Sequence, residues 1–224
     1  MTKYVLNSGG INNQPELKKK FHQELVKGLD GTPRFLLCNF AQGREYWEIK
    51  FQGYSDAIAE DMPEGVTPTF TLAMPNDFIE QCKQAHVIYF HGGDDHLLRY
   101  WMSQFDMVGM FKDKVVATNS ASSDMLATHY WTCDWRQCGD GFGVVPIKFI
   151  PHYQSNFGND DPRGPIDWQK AYDELAAYGD TSLPIYALKE GEFIVREQAW
   201  IGNYKYFELK EFAAKEKLVM PKAD

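Results

Sequence analysis

No stretch of the chain approaches the ~20 consecutive apolar residues that a membrane-crossing helix needs, so no membrane partner is expected. Basic residues are also in deficit: 23 Lys and Arg stand against 31 Asp and Glu, a formal net charge of −8. A dense cationic face is what nucleic acid requires, and this balance argues against such a partner. Cysteine is scarce. Cys38, Cys82, Cys133 and Cys138 are scattered and do not form a disulfide scaffold in 224 residues, and they are read as reduced thiols. Cys133 and Cys138 have no second pair nearby, so their zinc signal is weak. The amino-terminal run Met1–Asn7 is too short for a secretory hydrophobic region, and the expected location is cytoplasmic. Internal repeats, low-complexity segments and an interdomain linker are missing too, and residues 1–224 read as a single unit.

What is present is a substantial core. Hydrophobic residues make up 44% and aromatic residues 15% of the chain, enough to exclude disorder. Short apolar strands alternate with helical periodicity through the first half. The strands are Tyr4–Leu6, Arg34–Phe40, Thr67–Leu72, Val87–Phe90 and Val115–Ala117. Between them lie helices over Pro15–Leu29, Arg44–Met62 (interrupted at Gly53), Phe78–Ala85 and His96–Phe105. Pro68 places the third strand at an edge or delays its start. The alternation predicts an α/β fold with a mainly parallel, doubly wound sheet. Such sheets bind ligands at the carboxyl ends of their strands. Ser8-Gly9-Gly10, Gly92-Gly93-Asp94 and Ser120 all fall at such ends. The first of these is not a dinucleotide fingerprint, because no third glycine follows at the required spacing.

The second half reads differently. Cys133–Gly141 is a polar loop, and Gly143–His152 is a long apolar strand that delivers a histidine at its end. Gln154–Pro165 is a loop rich in Asn, Asp, Gly and Pro. A helix over Ile166–Tyr178 precedes the strand Leu183–Leu188, which a turn at Lys189–Glu192 returns as a hairpin through Phe193–Val195. A further strand is placed at Tyr204–Phe207, and the tail from Glu208 reads as a charged helix.

Ser120 sits where a short strand turns into a helix. Such a serine is either an N-cap, satisfying orphan N–H groups, or the apex of a nucleophile elbow. His91, Asp94, Asp95 and His96 have metal-ligand chemistry, but the plainer reading makes Asp94 or Asp95 a helix cap and leaves His96 on the surface. Tyr130, Trp131 and Trp135 are pocket or core aromatics. Arg99, Arg136, Lys148 and Arg163 are candidate donors to an acidic substrate group.

Four segments together resemble the peptidase E and cyanophycinase family. They are Val87–Asp94, Val115–Asp124, Gly141–Tyr153 with its Pro151-His152-Tyr153, and Ala187-Leu188-Lys189-Glu190-Gly191. The resemblance implies a three-layer sandwich of the class I glutamine amidotransferase-like, flavodoxin-like type. It implies a serine peptidase that cleaves dipeptides or isopeptides beginning with aspartate, with no metal or other cofactor. By motif, Ser120 is the nucleophile, His152 the general base and Glu190 the acid that orients it, with Asp134 a second acidic candidate. Gly93 and Ala121 would supply backbone N–H groups to the oxyanion. A small peptide is the expected partner, and a homodimer remains open. The chain departs from the family where its elbow has glycine, holding Thr118 and Ser122. A β-branched residue there adds crowding. Either the sheet spreads to fit it or the elbow relaxes, and a relaxed elbow would make the chain a binding protein with impaired catalysis.

Overall fold

A computed structural model describes residues 1–201 and 205–213. Its strands and helices follow the apolar patterning closely in the first half. β1 (Thr2–Asn7) leads through a single 3-10 turn to α1 (Pro15–Val26), and β2 (Arg34–Cys38) to α2 (Trp47–Glu60). β3 (Thr69–Leu72), α3 (Phe78–Gln84) and β4 (Val87–Phe90) follow, then α4 (Asp95–Met102) and α5 (Met107–Met110). β5 (Val115–Asn119) runs into α6 (Ala121–Leu126). α2 passes through Gly53 without a break, since one glycine inside a helix costs only about 1 kcal/mol and the flanking turns are anchored by buried Trp47, Ser55 and Ile58.

The strands form a seven-stranded sheet in the order β3-β2-β4-β5-β1-β10-β11. β1 to β5 are mutually parallel. β3 lies at the edge and begins just after Pro68, where the missing proline N–H costs no ladder bond. β10 (Phe193–Ile201) and β11 (Lys205–Ala213) extend the other side antiparallel.

A second, four-stranded sheet, which the sequence pattern did not separate from the first, has the order β7-β6-β8-β9. It contains β6 (Ala127–Thr132), β7 (Gln137–Asp140), β8 (Val145–Ile150) and β9 (Ile185–Ala187). Three expectations are corrected here. Within the segment read as a polar loop over Cys133–Gly141, Cys133–Arg136 is a turn but Gln137–Asp140 is β7, an edge strand too short and too exposed at its ends to carry an apolar alternation. The segments Leu183–Leu188 and Phe193–Val195 do not pair as a hairpin. β9 joins β8 in the small sheet, whereas β10 crosses to pair with β1. The tail through Ala213 is a strand, not a helix; the rest of that expected helix lies outside the described residues.

Alternate side chains of the large sheet feed two cores, as a period of two demands. Val5, Leu37, Tyr89 and Ala117 face α1 and α2 through Phe21, Leu25 and Ile58. Tyr4, Leu6, Cys38, Ile88 and Val116 face Phe78, Leu98, Phe111 and Met125, together with Val145 and Phe149 of the small sheet. α7 (Trp168–Ala177) covers the small sheet's outer side through Ala171 and Leu175, against Trp131 and Ile150. The result is a mixed α/β sandwich with helices on both sides. Among the described residues no helix is long and apolar enough to cross a membrane.

Two consequences position the candidate site. β6 follows α6 with no intervening loop, so the chain leaves the large sheet at Ser120 and enters the small one within seven residues. The turn after β9 returns it to the large sheet. Both crossings lie beside the carboxyl ends of β1, β4 and β5.

Candidate active site

Ser120 stands between β5 and α6 with φ 54° and ψ −119°. A residue with a Cβ avoids that region, at a cost of order 1–3 kcal/mol. Ser120 is not an N-cap in the side-chain sense: its Oγ makes no capping bond to the helix it precedes. It points instead at His152, with Oγ 2.9 Å from Nε2. The elbow therefore keeps its strained form despite Thr118 and Ser122.

His152 lies just beyond β8 and also has a positive φ, 53°. Its N–H donates to Ser8 Oγ at 2.7 Å, and that hydroxyl donates onward to Leu188 O at 2.7 Å. The end of β1 thus ties the histidine turn to the turn after β9. From that second turn Glu190 reaches back, its Oε1 3.1 Å from His152 Nδ1. A carboxylate at Nδ1 accepts a hydrogen bond from Nδ1–H and so keeps the proton on that nitrogen, which leaves Nε2 as the acceptor facing the Ser120 hydroxyl. The imidazole is buried, and Phe157 stacks on it with ring centres 4.3 Å apart. Burial lowers its pKa from the ordinary 6.5, and the Glu190 hydrogen bond and charge oppose that shift. The neutral form, the one that can accept a proton, is the form present at neutral pH.

Two glycines form the floor. A Cβ on Gly9 would sit 2.5 Å from His152 Nε2 and 3.1 Å from Ser120 Cβ, at a φ of +103°. A Cβ on Gly10 would sit 2.5 Å from the Glu190 carboxyl carbon. Gly9→Ala is therefore expected to push the imidazole off the serine. Initial-rate assays should show a loss on the order of a hundredfold, and an unchanged rate would refute the contact.

Gly92-Gly93 forms the neighbouring wall. A Cβ on Gly92 would meet Asn119 O at 2.5 Å and Ser120 Cβ at 3.1 Å. Of the two expected oxyanion donors, Ala121 follows the serine directly as the first residue of α6, and Gly93 is the residue after the glycine that abuts Ser120. Gly93 has φ +148° and backs onto Ala41, whose carbonyl accepts the Asp94 N–H at 2.8 Å.

Asp134 lies in the link between β6 and β7, with its side chain exposed. Desolvation and then the nearby Asp95 charge push its carboxyl upward, while His152 opposes them. It is close enough to feel His152, yet Nδ1 is taken by Glu190. His91, Asp94, Asp95 and His96 do not converge. His91 is buried and stacked on Tyr54, Asp94 caps α4 by accepting from Leu97 N at 2.9 Å, and His96 is exposed. Among the described residues no three His, Cys, Asp or Glu side chains group as a metal site would need.

The candidate cations are occupied elsewhere. Arg99 donates to Asp140 O, Arg136 to Gly158 O and Gly164 O, and Arg163 grips Asp161 at 2.8 Å. Lys148 is buried and caps the end of α7 through Leu175 O, Ala176 O and Tyr178 O. Tyr130 and Trp131 are core; Trp135 is exposed and donates to Asp95 at 3.2 Å.

Sequence reasoning missed Phe157, Ser8 as a tie, and the hydroxyls around Ser120. Phe157 had a signal, being the one aromatic side chain in an otherwise polar loop.

No protein-family model and no curated protein sequence matches the chain. Solved structures do. A peptidase from an acI-B1 Actinobacterium is 21% identical, with a TM-score of 0.59 and 96% of each chain covered. A protein from Listeria monocytogenes EGD-e, provisionally named as a peptidase E, is 14% identical. Its TM-score is 0.58, with 95% of this chain and 100% of that one covered. The chain shares their fold. At these identities the likeness extends to architecture over nearly the whole length, and chemistry has to be argued from the residues.

Proposed function

We propose that the chain is a serine-type peptidase acting on short peptides. The observation that carries this reading is Ser120 Oγ, raised on a positive-φ turn, 2.9 Å from the Nε2 of a buried histidine. The peptidase neighbours support it.

Ser120 attacks the scissile carbonyl while His152 Nε2 takes its proton, and Glu190 stabilises the resulting imidazolium. The oxyanion is met by backbone N–H groups of Ala121 and Gly93, each such donor being worth about 2.7–4 kcal/mol in comparable sites. His152 then protonates the leaving amine as the C–N bond breaks. Water attacks the acyl-enzyme, gives its proton to His152, and releases Ser120. Glu190 rather than Asp134 fills the acid role, because it holds Nδ1.

Dipeptides or isopeptides with amino-terminal aspartate are the substrates the family resemblance suggests. A fluorophosphonate probe followed by peptide mapping tests the mechanism. One equivalent on Ser120 is expected, with none on the His152→Ala variant. A wild-type protein that stays unlabelled would leave a binding protein on the same fold as the reading. A screen of Asp-X and β-aspartyl peptides against neutral dipeptides then tests the substrate class.

A further inference from the structure

The turn at Ser120 is held by side-chain hydroxyls. β5 lies between β1 and β4 in the sheet, so the turn at its end can be fastened on both sides. On one side, Ser122 Oγ accepts the Asn119 N–H at 2.7 Å and reaches Phe90 O, the last carbonyl of β4, at 2.7 Å. The same hydroxyl lies 3.0 Å from Asn119 O. On the other side, Ser123 Oγ donates to Asn7 O, the last carbonyl of β1, at 2.8 Å. Its proton being committed there, the 2.7 Å contact with Thr118 Oγ1 has Thr118 as donor. Asn7 O also accepts the Ser120 N–H, at 3.0 Å. Thr118, Ser122 and Ser123 are all at most 1% exposed, so water cannot replace a lost partner and each deletion leaves a buried polar group unpaired.

We propose that Thr118, Ser122 and Ser123 are positioning residues that clamp the Ser120 turn to both neighbouring strands and so hold its oxygen on His152. The proposal rests on the reading of Ser120 as nucleophile. Its physical logic is that a backbone at φ 54° relaxes unless its surroundings over-determine it. Here the restraint consists of directed hydrogen bonds from the first turn of α6 to Phe90 O and Asn7 O. Thr118 fits a crowded position because its hydroxyl has a partner; its β-branched shape alone would only add bulk.

The test compares Ser122→Ala, Ser123→Ala and Thr118→Val, which delete a hydroxyl with little change of volume, with Thr118→Ser, which keeps it. Asp167→Ala removes a remote cap at the start of α7, a bond to Lys170 N at 3.0 Å, and serves as a control for plain destabilisation. The readouts are the fluorophosphonate labelling rate, the thermal midpoint, and φ of residue 120 in crystals of each variant. The three deletions are expected to slow labelling on the order of tenfold to a hundredfold and to move φ toward negative values. Thr118→Ser should recover most of the rate, and Asp167→Ala should lower the midpoint without slowing labelling. Deletion variants that label like the wild type and keep φ near its present value would overturn the proposal. An unreactive wild type would instead remove the nucleophile reading, while the crystal structures would still decide whether the hydroxyls hold the turn.

Discussion

Ser120→Ala is expected to abolish turnover of whichever peptide the screen identifies, with kcat falling on the order of 10⁶-fold, while the protein stays folded. The large effect follows from the lack of any substitute: the oxygen 2.9 Å from His152 Nε2 is gone, and the other hydroxyls around the elbow are committed to Phe90 O and Asn7 O. The small effect on stability follows from the same geometry. Alanine keeps the Cβ and therefore the strain at φ 54°, and it forfeits one partly buried hydrogen bond worth about 1 kcal/mol. Ser120→Gly separates strain from chemistry. It is equally inactive, but glycine adopts positive φ freely, so urea unfolding should find it more stable than Ser120→Ala by about 1 kcal/mol. Turnover retained in Ser120→Ala would end the mechanism. Equal stability of the two variants would mean that the turn stores no strain.

The parts of this arrangement that could be read in the sequence are those where burial leaves a pattern. Phe35–Cys38 and Val87–Phe90 are apolar runs because both their faces are covered, and Val145–Ile150 is one interrupted only by the buried Lys148. The second sheet was obscured for a local reason. α6 gives way to β6 at Ala127, which takes an extended ψ of 163° with no glycine, proline or polar turn to mark the change. β7 is an exposed edge, so nothing in Gln137–Asp140 alternates. The tail was misread because Glu208, Lys210 and Glu211 suggest a charged helix, whereas pairing with β10 sets its conformation.

The candidate site was legible as strand ends and motifs, but its convergence was not. Ser120, His152 and Glu190 stand just past a large-sheet strand, just past a small-sheet strand and in the turn between sheets, and their meeting depends on both crossings. Nothing local in the sequence encodes that. The same holds for Gly10, whose role is clear only once Glu190 is seen against it. Thr118 and Ser122 looked like obstacles because volume can be read from a residue type, whereas hydrogen-bond partners supplied by other strands cannot.

Glu190→Gln is expected to lower kcat/KM on the order of 10³–10⁴-fold, because a neutral amide neither fixes the Nδ1–H tautomer nor stabilises the imidazolium. The pH profile gives a second and more specific readout. In the proposed mechanism the general base is neutral His152, so kcat/KM should rise with pH through the histidine's pKa in the free protein. That value lies below 6.5 because burial depresses it, with the Glu190 hydrogen bond and charge acting in the opposite direction. The wild-type acid limb should therefore fall below pH 6.5. Removing the carboxylate takes away the opposing influence, so the limb in Glu190→Gln should move to still lower pH even as the plateau drops. Stability follows the same sign. A histidine whose pKa is lower folded than unfolded binds its proton preferentially in the unfolded chain, so its contribution is intact above pH 6.5 and declines as pH falls from there toward the folded value. His22 and His91, also depressed by burial, add the same trend to both proteins, so the informative quantity is the difference between wild type and variant. Below pH 6.5 that difference should widen, with the variant losing stability over a longer range. If the acid limb moves upward, or if Glu190→Gln turns over at the wild-type rate, Glu190 is not the partner of the catalytic histidine. Asp134, within range of His152's charge, is then the carboxylate to replace next.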